Sequence, residues 1–132
     1  MERMAPISVT IDREQPPVGT VTLVGEHDAY SAGRIANEIE VLLDAGMAVV
    51  VDLTDATFVD SQTLSVLLSG RHKAHAGRLG FTLVLSDRDF TQVHRILKMT
   101  GLGTWFATYP SPSEAVAGAR AGHSSGDRLK VA

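Results

Sequence analysis

Asp60 and Ser61 stand where a short polar loop gives way to a helical pattern that continues through Leu64 and Leu67. Both residue types are good helix N-caps, because a side-chain oxygen there accepts a first-turn N–H that has no partner inside the helix. The same unpartnered amides make a helix start tolerant of negative charge, so a hydroxyl at this point is also a fit acceptor for a phosphoryl group. Two readings therefore belong to one dipeptide. Either the pair only caps, worth about 1 kcal/mol, or Ser61 is a modification site. Other chemistry is thin. His72 and His75 are one helical turn apart but have no third ligand, so a solvated helix face explains them better than a metal. Gly101-Leu102-Gly103 is too short for a nucleotide fingerprint, and helix termination accounts for it. No nucleophile, base and oxyanion donor can be assembled, so catalytic residues, a metal and a cofactor are all expected to be absent.

The elements that must position Asp60 and Ser61 follow from periodicity. Residues 7–11 alternate apolar and polar, and residues 20–24 are rich in branched side chains; the two read as strands of an N-terminal hairpin broken by Pro16 and Pro17. Ser31 is placed to cap a helix whose Ile35, Ile39, Leu42 and Leu43 share one face, with Gly46 at its stop. Residues 47–53 are apolar up to Asp52 and read as a central strand. A helix is predicted over 60–76, with Leu64, Leu67, Leu68 and Arg71 on one face, then a strand over 81–85. A further helix over 89–100 uses Phe90, Val93 and Leu97, and the last starts at Pro112 or Ser113 and fades at Arg120. This order predicts an α/β fold: a mixed β-sheet opened by an N-terminal hairpin, with helices packed against it. One domain over residues 7–119 is expected, and a disordered tail over 120–132.

Fifteen acidic against twelve basic residues give a formal charge of -3, which provides no broad field for nucleic acid. The absence of cysteine excludes disulfides and thiol chemistry. The longest apolar run, residues 47–51, is too short to span a bilayer, and residues 1–6 carry no signal-peptide core. No membrane insertion and a cytoplasmic location are expected.

The hairpin, a strand ending in Gly25-Glu26-His27-Asp28, a helix, a strand through Val51-Asp52-Leu53 and then Phe58-Val59-Asp60-Ser61 opening a second helix together resemble the STAS domain family. Its members include the anti-sigma factor antagonists of bacterial partner-switching systems. The resemblance implies a binding module that holds an anti-sigma factor with serine-kinase activity and is switched off by phosphorylation, with a phosphatase to reset it. In phosphorylated members the motif is similar to Asp-Ser-Ser/Thr-Gly-Leu. Asp60, Ser61 and Leu64 match it, Gln62 replaces the second hydroxyl residue, and Thr63 replaces the glycine. The resemblance thus implies phosphorylation at Ser61 and a partner-binding surface of Asp28, Asp60, Ser61, Gln62 and Thr63. Thr63 is expected at the rim of that surface, as an obstacle to a kinase and a second candidate acceptor. His27 stands where the family pattern has an aliphatic residue. The alternative reading is a non-phosphorylated STAS scaffold or regulatory subunit of a stress-sensing complex or of a lipid or anion transporter. A receiver domain is a poorer match, since the stretch after Val84-Leu85 is Ser86-Asp87-Arg88, with no lysine there; Asp52 is expected to bond the loop after its strand.

Overall fold

The computed structural model describes residues 6–86 and 91–125. Strand β1 (Ile7–Asp12) pairs antiparallel with β2 (Val18–Leu23), Val9 opposite Val21, which is the predicted hairpin. Parallel strands β4 (Ala48–Asp52), β6 (Phe81–Val84) and β7 (Ala107–Tyr109) extend it into a five-stranded sheet of order β1-β2-β4-β6-β7. The remaining strands, β3 (Gly25–His27) and β5 (Ala56–Val59), form a separate two-stranded parallel ribbon. Neither is visible to a period-two reading. The first has three residues, and the second buries Ala56 and Val59 while exposing the two between, so residues 54–59 resemble a polar loop in sequence.

The helices are α1 (Ala29–Asp44), α2 (Ser61–Ala76), α3 (Gln92–Thr100) and α4 (Pro112–Arg120). Branched and aliphatic residues cover the central sheet on both faces, as the unbroken apolar run of β4 requires. On one face Val21, Leu23, Val49, Val51 and Leu83 join Ile35 and Ile39 of α1, Leu67 of α2 and Val93 and Leu97 of α3 in the main core. On the other, Val18, Val50 and Val84 meet Ala115 and Ala119 of α4. Small residues set the close approaches. A Cβ at Gly70 of α2 would stand 3.0 Å from Ile39 and from Phe81, and one at Gly80 would collide with the main chain of Ala119.

Two sequence expectations differ from the structure, and a third falls partly outside the described residues. Helix α1 begins at Ala29, because Asp28 and not Ser31 takes the N-cap, and Ser31 serves as the first-turn partner that completes its capping box. Asp89 and Phe90 lie outside the described residues; α3 as described is capped by Thr91, whose side chain accepts from the His94 N–H. The tail does not begin at residue 120. Phe81 N donates to His123 O at 2.8 Å, the Ser124 hydroxyl meets His75 Nδ1 at 2.8 Å, and His123 Nδ1 meets the Tyr109 hydroxyl at 2.7 Å. Polar bonding, which apolar patterning cannot reveal, holds this segment, and Ser124 is buried. Residues 126–132 lie outside the described residues. Asp52 does bond its loop, accepting from Thr54 N at 2.9 Å.

Candidate functional site

Parallel pairing of β3 with β5 places His27 opposite Val59, so the chain leaves both strands at the same end of the ribbon. Each strand is followed at once by a helix. The N-caps Asp28 and Asp60 are therefore neighbours, joined through the main chain where Asp60 N donates to His27 O at 3.2 Å. Two helix starts, each with partly positive first-turn amides, open side by side on one surface.

Each start is organised by its own carboxylate. Asp28 accepts from Tyr30 N at 2.9 Å, and the Ser31 hydroxyl returns the bond by accepting from Asp28 N at 3.2 Å. Asp60 accepts from Thr63 N at 2.8 Å. That bond, with lesser help from other first-turn donors and against the cost of desolvation, holds the Asp60 carboxyl below its ordinary pKa. Asp60 is consequently occupied as a cap and carries its negative charge beside Ser61.

Ser61 and Gln62 occupy the first turn of α2 with exposed side chains, as the sequence motif suggests. Thr63 does not accompany them. It is fully buried, and its hydroxyl donates to His27 O at 3.3 Å. The reason is helical phase: Thr63, Leu67, Gly70 and Ala74 recur at core spacing and are all buried. Because Thr63, Gly70 and Ala74 are small or polar, a search for large apolar residues passes over them. The expected rim position, obstruction of a kinase and acceptor role of Thr63 are therefore withdrawn, and so is its place in the partner surface.

His27, the other departure from the family pattern, is also fully buried. Its Nε2 lies 3.0 Å from Val24 O and its Nδ1 3.1 Å from the Ser31 hydroxyl. A carbonyl can only accept, so Nε2 carries the proton, and in the neutral ring Nδ1 accepts from Ser31. Both departures thus act on one junction: the His27 ring ties β3 to α1, while the His27 carbonyl receives Asp60 N and the Thr63 hydroxyl from α2.

Two more residues escaped sequence reading. Tyr30, directly after the α1 cap region, is 97% exposed, an unusual setting for an aromatic side chain. The side chain of Gln92 bonds the main chain of Val59 at both N and O. An aromatic residue two positions after a cap is a usable signal for the first. The second depends on a contact across 33 residues and leaves no local trace. No helix among the described residues is long and apolar enough to cross a membrane, and no cluster of three or more potential metal ligands occurs among them.

The STAS domain family model matches residues 10–115, and the chain belongs to that family. Among solved structures, the fold is similar to that of a Thermotoga maritima protein described as a candidate anti-sigma factor antagonist. The TM-score is 0.72 at 21% identity, covering 86% of this chain and 94% of that one. An anti-sigma factor antagonist from Mycobacterium paratuberculosis gives 0.67 at 24% identity over 86% and 94% of the two chains. The Bacillus cell fate determinant SpoIIAA in its phosphorylated form gives 0.59 at 17% identity over 83% and 97%. No curated protein sequence matches the chain. The mixed sheet and its helices are thus the STAS fold, as the sequence resemblance implied.

Proposed function

We propose that this chain is an anti-sigma factor antagonist, a binding module whose working surface is the pair of helix starts around Ser61. The observation that carries the reading is the contrast at the start of α2. Asp60 and Thr63 are committed to holding the helix, while Ser61 and Gln62 beside them face solvent. A phosphoryl group on Ser61 would add about -1.5 to -2 charges. The first-turn amides of α2 stabilise such a charge, so the domain keeps its fold. A partner seated on the same surface instead meets new charge next to the Asp60 and Asp28 carboxylates, and docking is lost to repulsion and desolvation. The surface consists of Asp28, Tyr30, Asp60, Ser61 and Gln62.

In this reading the partner is an anti-sigma factor with serine-kinase activity, because the chain shows no nucleotide-binding motif of its own and needs an external donor of phosphate. A phosphatase restores the binding form. The protein acts by association in the cytoplasm, not by catalysis. Similarity to anti-sigma factor antagonists supports the general role. Phosphopeptide mapping after incubation with the kinase recovered from a pull-down tests it: phosphate is expected on Ser61 and not on the buried Thr63. Stable binding with no phosphate on Ser61 would leave a non-phosphorylated scaffold as the better account.

A further inference from the structure

The ribbon that leads into Ser61 has an open side. Strand β5 pairs with β3 along one edge only, and the N–H and C=O of Val59 point away from that pairing, toward α3. Val59 is fully buried, so neither group can turn to water, and an unpaired buried peptide group is costly. Gln92 meets both. Its Oε1 accepts from Val59 N at 2.9 Å, and its Nε2 donates to Val59 O at 3.0 Å. A primary amide has the same donor and acceptor pair as a peptide unit, so the side chain does the work of one residue of a missing strand.

From this geometry we infer that Gln92 is a positioning residue for the Ser61 surface. Val59 is followed directly by Asp60 and Ser61. The main chain is gripped on one side by Gln92 at Val59 and on the other by His27 O at Asp60. Two grips on consecutive residues from opposite sides set both the place and the direction of the chain as it enters α2. Gln92 is the first residue of α3, so the grip also ties the seat of that helix to the presentation of Ser61. The inference rests on Ser61 marking the working surface, yet the geometry it describes can be measured without any partner.

Amide hydrogen exchange followed by NMR on the full chain tests it, comparing the parent with Gln92→Met and Gln92→Glu. Val50, in the middle of β4 and fully buried, reports global opening. With methionine, which has similar length but no amide, Val59 N–H is expected to exchange about tenfold faster or more relative to Val50, with shifted Ser61 and Gln62 amide resonances. With glutamate at neutral pH, a carboxylate oxygen still accepts from Val59 N–H but nothing donates to Val59 O. Val59 should remain protected while the Ser61 resonance moves. Protonation in acid supplies an O–H donor, so the glutamate variant alone should return toward the parent Ser61 resonance as pH falls. Equal acceleration of Val59 and Val50 would reduce Gln92 to a contributor to overall stability and overturn the inference. Unchanged Ser61 and Gln62 resonances in both variants would overturn it as well. Failure to find phosphate on Ser61 would count against the proposed function and leave these resonances to decide the role of Gln92.

Discussion

The two ends of this domain are held by different means. Around α4, side chains close on one another and on the main chain. Arg120 donates from Nε to Pro16 O and from a terminal nitrogen to Glu14 O, and pairs with Asp12 at 3.1 Å. Gly80 and Gly118 let α4 lie against the β6 side of the sheet and against Tyr109. His123 and Ser124 then fasten the chain after the helix. Around Ser61 the fastening is aimed inward. His27 O, the Thr63 hydroxyl and the Gln92 amide act on the main chain or on each other beneath the surface, and the half-buried Asp60 carboxylate at its edge is turned onto Thr63 N. Ser61, Gln62 and Tyr30 are left facing out. The first arrangement uses side chains up in making structure. The second uses buried groups to make a rigid platform, so that exposed groups can meet a partner without paying to order the backbone beneath them.

This contrast predicts separable effects. The largest should come from the α4 side. Gly80→Ala drives a methyl group into the main chain of Ala119, which cannot yield as a flexible side chain would, and should cost about 3 kcal/mol by denaturant unfolding. The folded fraction should still bind its partner with parental affinity. A matching loss of affinity would show that the two ends are not independent.

A smaller effect is expected beneath Ser61. Thr63→Val keeps the branched shape but removes the hydroxyl that reaches His27 O, and should lower stability by about 1 kcal/mol. Partner binding should weaken together with it, in contrast to the α4 variant. Unchanged affinity with reduced stability would mean that the junction supports the fold but not the surface.

The smallest effect concerns pH. The folded state holds the Asp60 carboxyl below its ordinary value, chiefly through the bond from Thr63 N, so the ionised cap stabilises the fold at and above that ordinary value. Its contribution is lost as pH falls through the lowered folded-state pKa. Asp60→Asn keeps a capping oxygen that does not titrate in this range. Its stability should fall less steeply than the parent's below the ordinary aspartate pKa, and identical acid limbs would show that Asp60 contributes nothing through its charge.

Most of the main sheet and the four helices among the described residues were legible: α1 and α2 because long elements bury an apolar stripe, marked by Ile35, Ile39, Leu42 and Leu67, α3 through Val93 and Leu97, and α4 through its Pro112 start. Asp60 was legible for a local reason as well, being a good cap directly before a helical pattern. The ribbon of β3 and β5 was not, since its strands are too short for alternation to register, and with it went the floor of the site. His27 and Thr63 could be recognised as departures from a family pattern, but not as partners, because only the ribbon brings them into contact across 36 residues. The sequence places Thr63 on the wrong side of α2 because its burial follows from helical phase and not from hydrophobicity. Gln92 lay beyond reach altogether, as its role depends on an unpaired strand edge that the sequence does not display.

The central claim is that charge at Ser61 governs docking while leaving the fold intact. The affinity of Ser61→Glu and Ser61→Ala for the proposed anti-sigma factor partner, measured by titration calorimetry beside their unfolding curves, tests it most directly. Glutamate supplies one charge where phosphate supplies nearly two, and should still weaken binding by about tenfold, or 1.4 kcal/mol, with parental stability. Alanine should bind as the parent does. Equal affinity for the glutamate variant and the parent would place Ser61 outside the interface and contradict the account.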